Sequence, residues 1–202
     1  MSDVVGVERK GQVVLITLNR PEARNAISPE MLVRLADAWT AVRDDPDIRV
    51  AVVTGAGDKA FCSGADLGRF IPLMSRARPP EDEWDRRLLA DGEMLGRGLL
   101  RTFDVVKPVI AAINGHAIAG GMELAQGTDL RVASESAKLG VQEVKWAIFP
   151  AGGSTVRLPR QIPYARAMEL LLTGDLITAA EALELGFLNR VVPQADVLPT
   201  AL

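Results

Sequence analysis

Apolar and polar positions change period from segment to segment, and the changes predict short strands alternating with helices. Val4–Glu8 and Val13–Leu18 are β-branched runs separated by Arg9-Lys10-Gly11-Gln12, a hairpin signal with Lys10-Gly11 at the turn. Arg20-Pro21-Glu22-Ala23-Arg24-Asn25-Ala26 follows as an ordered loop. Ser28-Pro29-Glu30 opens a helix with a capping hydroxyl, a proline at the first position and an acid in the first turn. Leu32, Leu35, Ala36 and Trp39 are its apolar stripe, and Asp44 to Asp47 ends it. Val50–Thr54 is a buried-type strand. Residues 71–83, with Pro79-Pro80 among mixed charges, form the least ordered stretch. Residues 84–103 read as one helix turning Leu88, Leu89, Met94, Leu95, Leu99 and Leu100 inward.

The pattern centres on residues 109–129. Val109–Ile113 is a buried strand bounded by Pro108 and Asn114-Gly115, and Ala119-Gly120-Gly121 leads into the helix formers Met122-Glu123-Leu124-Ala125-Gln126. Two readings stay open here. The glycines serve packing alone, or they let another molecule reach the first N–H groups of the helix, one turn from Glu123. Leu130–Ala133 and a shorter run near Leu139 are strands, and Pro150-Ala151-Gly152-Gly153-Ser154 is a second glycine turn into a short helix to Arg160. Residues 163–173 are helical, Thr178-Ala179-Ala180-Glu181 is a capping box, and Asn189–Val192 is a last strand. The alternation implies α/β architecture with right-handed crossovers in a single domain over residues 1–202. No internal repeat is visible.

Composition narrows the chemistry. A net charge of -3 gives no reason to expect nucleic acid. One cysteine and one histidine exclude an internal disulfide and leave too few ligands for a zinc or iron–sulfur site. No stretch reads as a signal peptide or a transmembrane helix, so the expected location is the cytoplasm, with no membrane partner. Gly55-Ala56-Gly57 lacks the third glycine of a dinucleotide fingerprint, and Ser63 lacks a nucleophile elbow. Cys62 reads as a small core residue and His116 as a satisfied histidine near the ligand wall. Glu143, between Gln142 and Val144-Lys145-Trp146, is either a desolvated acid with a raised pKa or a surface acid paired with Lys145.

Four stretches, in order, carry a resemblance: Asn19-Arg20-Pro21 with Ala23 to Ala26; Gly55 with Phe61 to Leu67; Asn114-Gly115 through Leu124; and Glu143 with Pro150 and Gly152-Gly153. Together they resemble the enoyl-CoA hydratase/isomerase, or crotonase, family over nearly the whole chain. The resemblance implies a crotonase-like (ClpP/crotonase) ββα superhelix with its spiral core ending near residue 195. It implies an enoyl-CoA hydratase of lipid metabolism that adds water to a trans-2-enoyl-CoA, giving a 3-hydroxyacyl-CoA. The alternatives are enoyl-CoA isomerase or other enolate chemistry, or a non-catalytic acyl-CoA-binding member.

By position, Glu123 is the implied base towards water and Glu143 the α-carbon proton donor. The N–H groups of Ala65 and Gly120 make the oxyanion hole, and Ala23, Arg24, Ala26, Ala65, Asp66, Leu67, Gly68 and Gly120 line the coenzyme A site. Residues from Leu73 to Leu89, with Trp146 and Phe149, are the expected acyl wall. No cofactor is expected, coenzyme A being part of the substrate; the expected assembly is a homotrimer or dimer of trimers. Ala119 and Ala147 stand where the family commonly has glycine, a mild change. The family usually continues past the last strand into C-terminal helices over the acyl site; this chain ends at Leu202 without them, so the resemblance implies either a shortened sequence or a site more open than in relatives.

Overall fold

The computed structural model describes residues 3–202, so Met1 and Ser2 of the N-terminal stretch read for a signal peptide lie outside the described residues. β1 (Val5–Lys10) and β2 (Val13–Leu18) pair antiparallel with Lys10 opposite Val13. The turn is therefore Gly11-Gln12, one residue later than expected, and Gly11 takes φ +64°, which glycine adopts without a Cβ clash. α1 (Pro29–Asp44) begins where the Ser28 hydroxyl accepts from the Met31 N–H, and its expected stripe is fully buried. Next come β3 (Val50–Gly55), β4 (Ala60–Cys62), α2 (Phe70–Met74), α3 (Glu83–Ala90), α4 (Met94–Gly98), β5 (Val109–Ile113), β6 (His116–Ile118) and α5 (Gly120–Gln126). The remainder is β7 (Leu130–Ser134), β8 (Lys138–Gly140), α6 (Ser154–Gln161), α7 (Tyr164–Thr173), β9 (Ile177–Thr178), α8 (Ala179–Glu184), β10 (Arg190–Val192) and α9 (Val197–Ala201).

One sheet runs β1-β2-β3-β5-β7-β10 and is parallel from β2 onwards; a smaller one runs β4-β6-β8-β9. The pairs β3–β4, β5–β6 and β7–β8 each give one strand to each sheet before a helical segment follows, which is the expected ββα superhelix. The large-sheet strands are apolar on both faces. Ile16, Val53 and Ala111 join the main core, whereas Leu15, Val52, Ala112 and Val132 meet Val197 and Ala201 of α9 on the other side. The sequence reading had no helix there, because five residues are too few to show a period.

Two expectations change between β4 and β5. The single helix over 84–103 is broken into α3 and α4 at Asp91-Gly92, where the Asp91 carboxylate accepts from the Glu93 N–H in an Asx turn, and Leu89 faces solvent. Residues 71–83 are clasped rather than loose. Arg78 grips the buried Asp85 carboxylate with both terminal nitrogens (Nη2–Oδ1 2.9 Å) and donates to the Arg69 carbonyl, while the Glu81 N–H also donates to Asp85 at 2.9 Å.

Candidate active site

The site forms where the two sheets hand the chain to α5. Asn25 is buried and pins the loop before α1: its Nδ2 donates to the Ala56 and Ala60 carbonyls, and its Oδ1 accepts from the Arg20 N–H. Asn114 does the same for the β5–β6 bend, accepting from Gly55 N and donating to the Gly57 carbonyl. The loop after β4 is stitched to this frame through Ile27 N to Gly64 O and Asp66 N to Ile27 O. Asp66 pairs with Arg20 at 2.9 Å and accepts from Gly68 N and Arg69 N. Its carboxylate is thus committed to holding the loop.

These fastenings set the Ala65 N–H beside the first N–H of α5. A Cβ built on Gly120 would lie 3.7 Å from Ala65 N. Neither amide has a hydrogen-bond partner among the described residues. α5 can come this close to β4 only because residue 121 is glycine; any Cβ there would collide with the Cys62 carbonyl. Cys62 is fully buried beneath it, with its thiol pushed up to about 12 by burial, so it is a core residue and no nucleophile.

Ala119 caps α5 with φ +52° and ψ −123°, a region almost reserved for glycine, and Ala147 takes the left-handed region at φ +54°. The alanine at 119 is therefore a strained substitution, not a mild one. Such strain costs on the order of 1–3 kcal/mol, and glycine's extra unfolded-state entropy returns part of it. Ala119→Gly is expected to stabilise the protein by about 1 kcal/mol, raising Tm by roughly 2–4 °C in a thermal melt. An unchanged or lower Tm would show that the backbone there carries no strain.

Two carboxylates face the cavity from different environments. Glu123, on the first turn of α5, is buried, and its two oxygens accept from Gly152 N (2.9 Å) and Ser154 N (3.1 Å) at the start of α6. Burial raises its pKa, and those backbone donors pull it back by stabilising the anion. Glu143, on a single 3-10 turn over Glu143–Trp146, is also buried, and its Oε2 has no partner among the described residues. Burial pushes its carboxyl up to about 7, with the nearby Glu123 charge adding to the shift. Lys145 pairs with Asp175 at 3.0 Å, which removes the alternative of a surface Glu143–Lys145 pair. The two carboxylates share a cavity but not an environment: two amides favour the anion of Glu123, and nothing among the described residues offsets the burial of the Glu143 Oε2.

Both glutamates line one cavity of about 600 Å³ together with Ala23, Arg24, Ala26, Ala65, Asp66, Leu67 and Gly120. Gly68 does not line it, being turned to Asp66, and His116 lies outside it with Nδ1 accepting from Lys138 N. Trp146 and Phe149 are on the wall as expected, but the stretch 73–89 contributes only Met74: Leu73 is in the core and Leu89 in solvent. Phe70, Ile71, Leu95 and Leu99 add to the apolar side, with Ile27, Ile118 and Ile148. Sequence reasoning also missed the Gly152 and Ser154 amides as partners of Glu123. The glycine turn before a helix was the available signal, but 29 and 31 residues separate the pairs.

A family model described as enoyl-CoA hydratase/isomerase matches residues 8–202. An enoyl-CoA hydratase of Mycobacterium tuberculosis is 49% identical over 97% of this chain and 71% of its own length. An (E)-benzylidenesuccinyl-CoA hydratase of Thauera aromatica is 46% identical over 93% of this chain and 69% of its own. The crystal structure of a carnitinyl-CoA hydratase from Mycobacterium avium superposes with a TM-score of 0.86 at 40% identity, covering all of this chain and 73% of the other.

Proposed function

The chain belongs to the enoyl-CoA hydratase/isomerase family and acts as an enoyl-CoA hydratase, and on that premise we propose how its residues divide the work. The acyl-CoA thioester lies in the cavity with its carbonyl oxygen between the Ala65 and Gly120 N–H groups. Ionised Glu123 takes a proton from water as the oxygen attacks C3 of the trans-2-enoyl thioester. Charge moves onto the thioester oxygen, where two fixed donors stabilise it; deleting one such donor typically costs about 10²–10³ in rate. Protonated Glu143 then delivers its proton to C2 of the enolate. One proton has passed from water to Glu123 and one from Glu143 to C2, and proton exchange between the carboxyls resets the pair. The product is a 3-hydroxyacyl-CoA.

The observation that carries this reading is the contrast between the two buried acids, one gripped by two amides and one with an unpartnered oxygen. No cofactor enters the scheme, since coenzyme A arrives as part of the substrate. No helix among the described residues is long and apolar enough to cross a membrane. We place the protein in the cytoplasm as a homotrimer or dimer of trimers, which light scattering on the purified chain measures.

Hydration removes the conjugated chromophore, so absorbance of crotonoyl-CoA is expected to fall and 3-hydroxybutyryl-CoA to accumulate. The pH profile of kcat/KM is expected to be a bell: activity falls in acid as Glu123 is protonated, and falls above about 7 as Glu143 loses its proton. Folded protein that binds the thioester without bleaching it, or a flat profile from about pH 5 to about pH 9, overturns the assignment.

A further inference from the structure

Two arginines flank the turn that holds Glu123, and both spend their hydrogen bonds on main-chain carbonyls. Arg157 of α6 reaches the Leu100 carbonyl through Nη2, which also lies 3.4 Å from the Arg101 carbonyl. Arg101 Nη1 donates to the Ala151 carbonyl at 2.7 Å. Their stems enclose Gly153: a Cβ built there would sit 3.3 Å from Arg101 Cγ and 3.6 Å from Arg157 Cδ. The contacts run as a circuit from Arg157 to the 100–101 backbone, through Arg101 to Ala151, and through the Gly152 N–H to Glu123. Leu100 is held at φ +55° within this circuit, and Arg157 Nη1 is buried without a partner among the described residues. An arginine kept in so unfavourable a position is doing more than covering surface.

We propose that Arg157 and Arg101 are positioning residues that clamp the Gly152–Ser154 turn and thereby fix how firmly its two amides hold the Glu123 carboxylate. The inference rests on Glu123 acting as an ionised base. Loosening the turn lengthens two charge-assisted N–H···O bonds, which weakens the anion and raises its proton affinity. Other charged or titratable groups on the elements packed against α5 are accounted for. Glu143 faces Glu123 across the cavity, Cys62 is a buried thiol, His116 is bonded to Lys138 N, Arg131 binds carbonyls at the far end of α5, and Arg160 is exposed. Burial lowers the Arg157 guanidinium and the Glu123 charge opposes that.

The test is the titration of the Glu123 carboxyl by ¹³C NMR in the full chain, assigned with Glu123→Gln, beside the acid limb of kcat/KM. Arg101→Gln and Arg157→Gln are expected to move both upward by about half a pH unit or more. Arg157→Lys keeps the charge that acts on Glu123 but loses the grip on the 100–101 carbonyls, and is expected to move them by a similar amount. A shift in Arg157→Gln alone reports lost charge and overturns the clamp. A merely structural role lowers Tm and leaves the carboxyl where it was. Arg101 is exposed, so its variant carries the test if Arg157→Gln does not fold. A carboxyl unmoved in the folded variants overturns the clamp, whether or not hydration is seen. A carboxyl that moves in a protein without hydratase activity keeps the clamp and overturns the functional reading instead.

Discussion

Glu123→Gln is expected to lower kcat for enoyl-CoA hydration by about 10²–10⁴ while the protein stays folded. A glutamine cannot take the proton from water, but its amide oxygen can still accept from one of the Gly152 and Ser154 N–H groups, so the α5–α6 junction survives. Glu143→Gln is expected to cost turnover on the same order, because an amide has no proton acidic enough for C2. The stability effect of Glu143→Gln has the opposite sign. Folding raises the Glu143 carboxyl from 4.5 to about 7, so the fold favours its neutral form. That contribution is fully present below 4.5 and is lost as pH rises through about 7. Above that window the native protein carries a cost on the order of 3 kcal/mol that the glutamine variant lacks. Melts of the two proteins should coincide in acid and separate at alkaline pH, the inactive variant being the more stable. Equal melting at alkaline pH would mean that Glu143 is not desolvated, and a fully active Glu123→Gln would remove the base.

Asp85→Ala is expected to cost about 3 kcal/mol of stability, far more than a surface ion pair contributes. The Asp85 side chain is fully buried and answers Arg78 through two contacts and Glu81 through its N–H. Removing it strands a guanidinium that is itself mostly covered. The Arg78 hydrogen bond holds the Asp85 carboxyl below its usual range despite burial. Its contribution is therefore present above the unfolded value of about 3.8 and disappears as pH falls through the lower folded value. Denaturant midpoints of the native and Asp85→Ala proteins should diverge near neutrality and converge in strong acid. The clasp spans α2 and α3, and α2 supplies Phe70, Ile71 and Met74 to the cavity, so KM for the thioester should rise more than kcat falls. A loss below about 0.5 kcal/mol would reduce the clasp to ordinary surface electrostatics.

Legibility in the sequence followed the range of the interactions. Val109–Ile113, the Ser28 cap and the Thr178–Glu181 box declare themselves locally, and all three stand in the structure. The break at Asp91-Gly92 also has a local cause, an Asx turn, but the leucines on both sides kept the helical period and hid it. The Arg78–Asp85 clasp was invisible because charges seven residues apart in a proline-rich stretch look like solvated loop. The three ββα passes leave no sequence repeat, since the helical part is α2 to α4 in one pass and a seven-residue helix in the next. Of the site, the glycine turn at 120–121 with the acid at 123 was visible as one of two open readings, and Ala65 entered only through the family resemblance. The contrast between the two glutamates was not visible, because it depends on amides and burial supplied from other turns of the spiral.

The thiol of Cys62, sealed beneath Gly121, is also a clock for motion of the site. It is the chain's one cysteine and is shut away from solvent, so a thiol reagent can reach it only while α5 lifts from β4. With reagent in the regime where reclosing outpaces labelling, the modification rate reads out the free energy of that excursion. Because the same excursion parts the Ala65 and Gly120 amides, a thioester held between them as we propose must slow the clock in proportion to its occupancy. Protection of a buried sulfur then becomes a binding isotherm for the proposed oxyanion site, obtained without turnover.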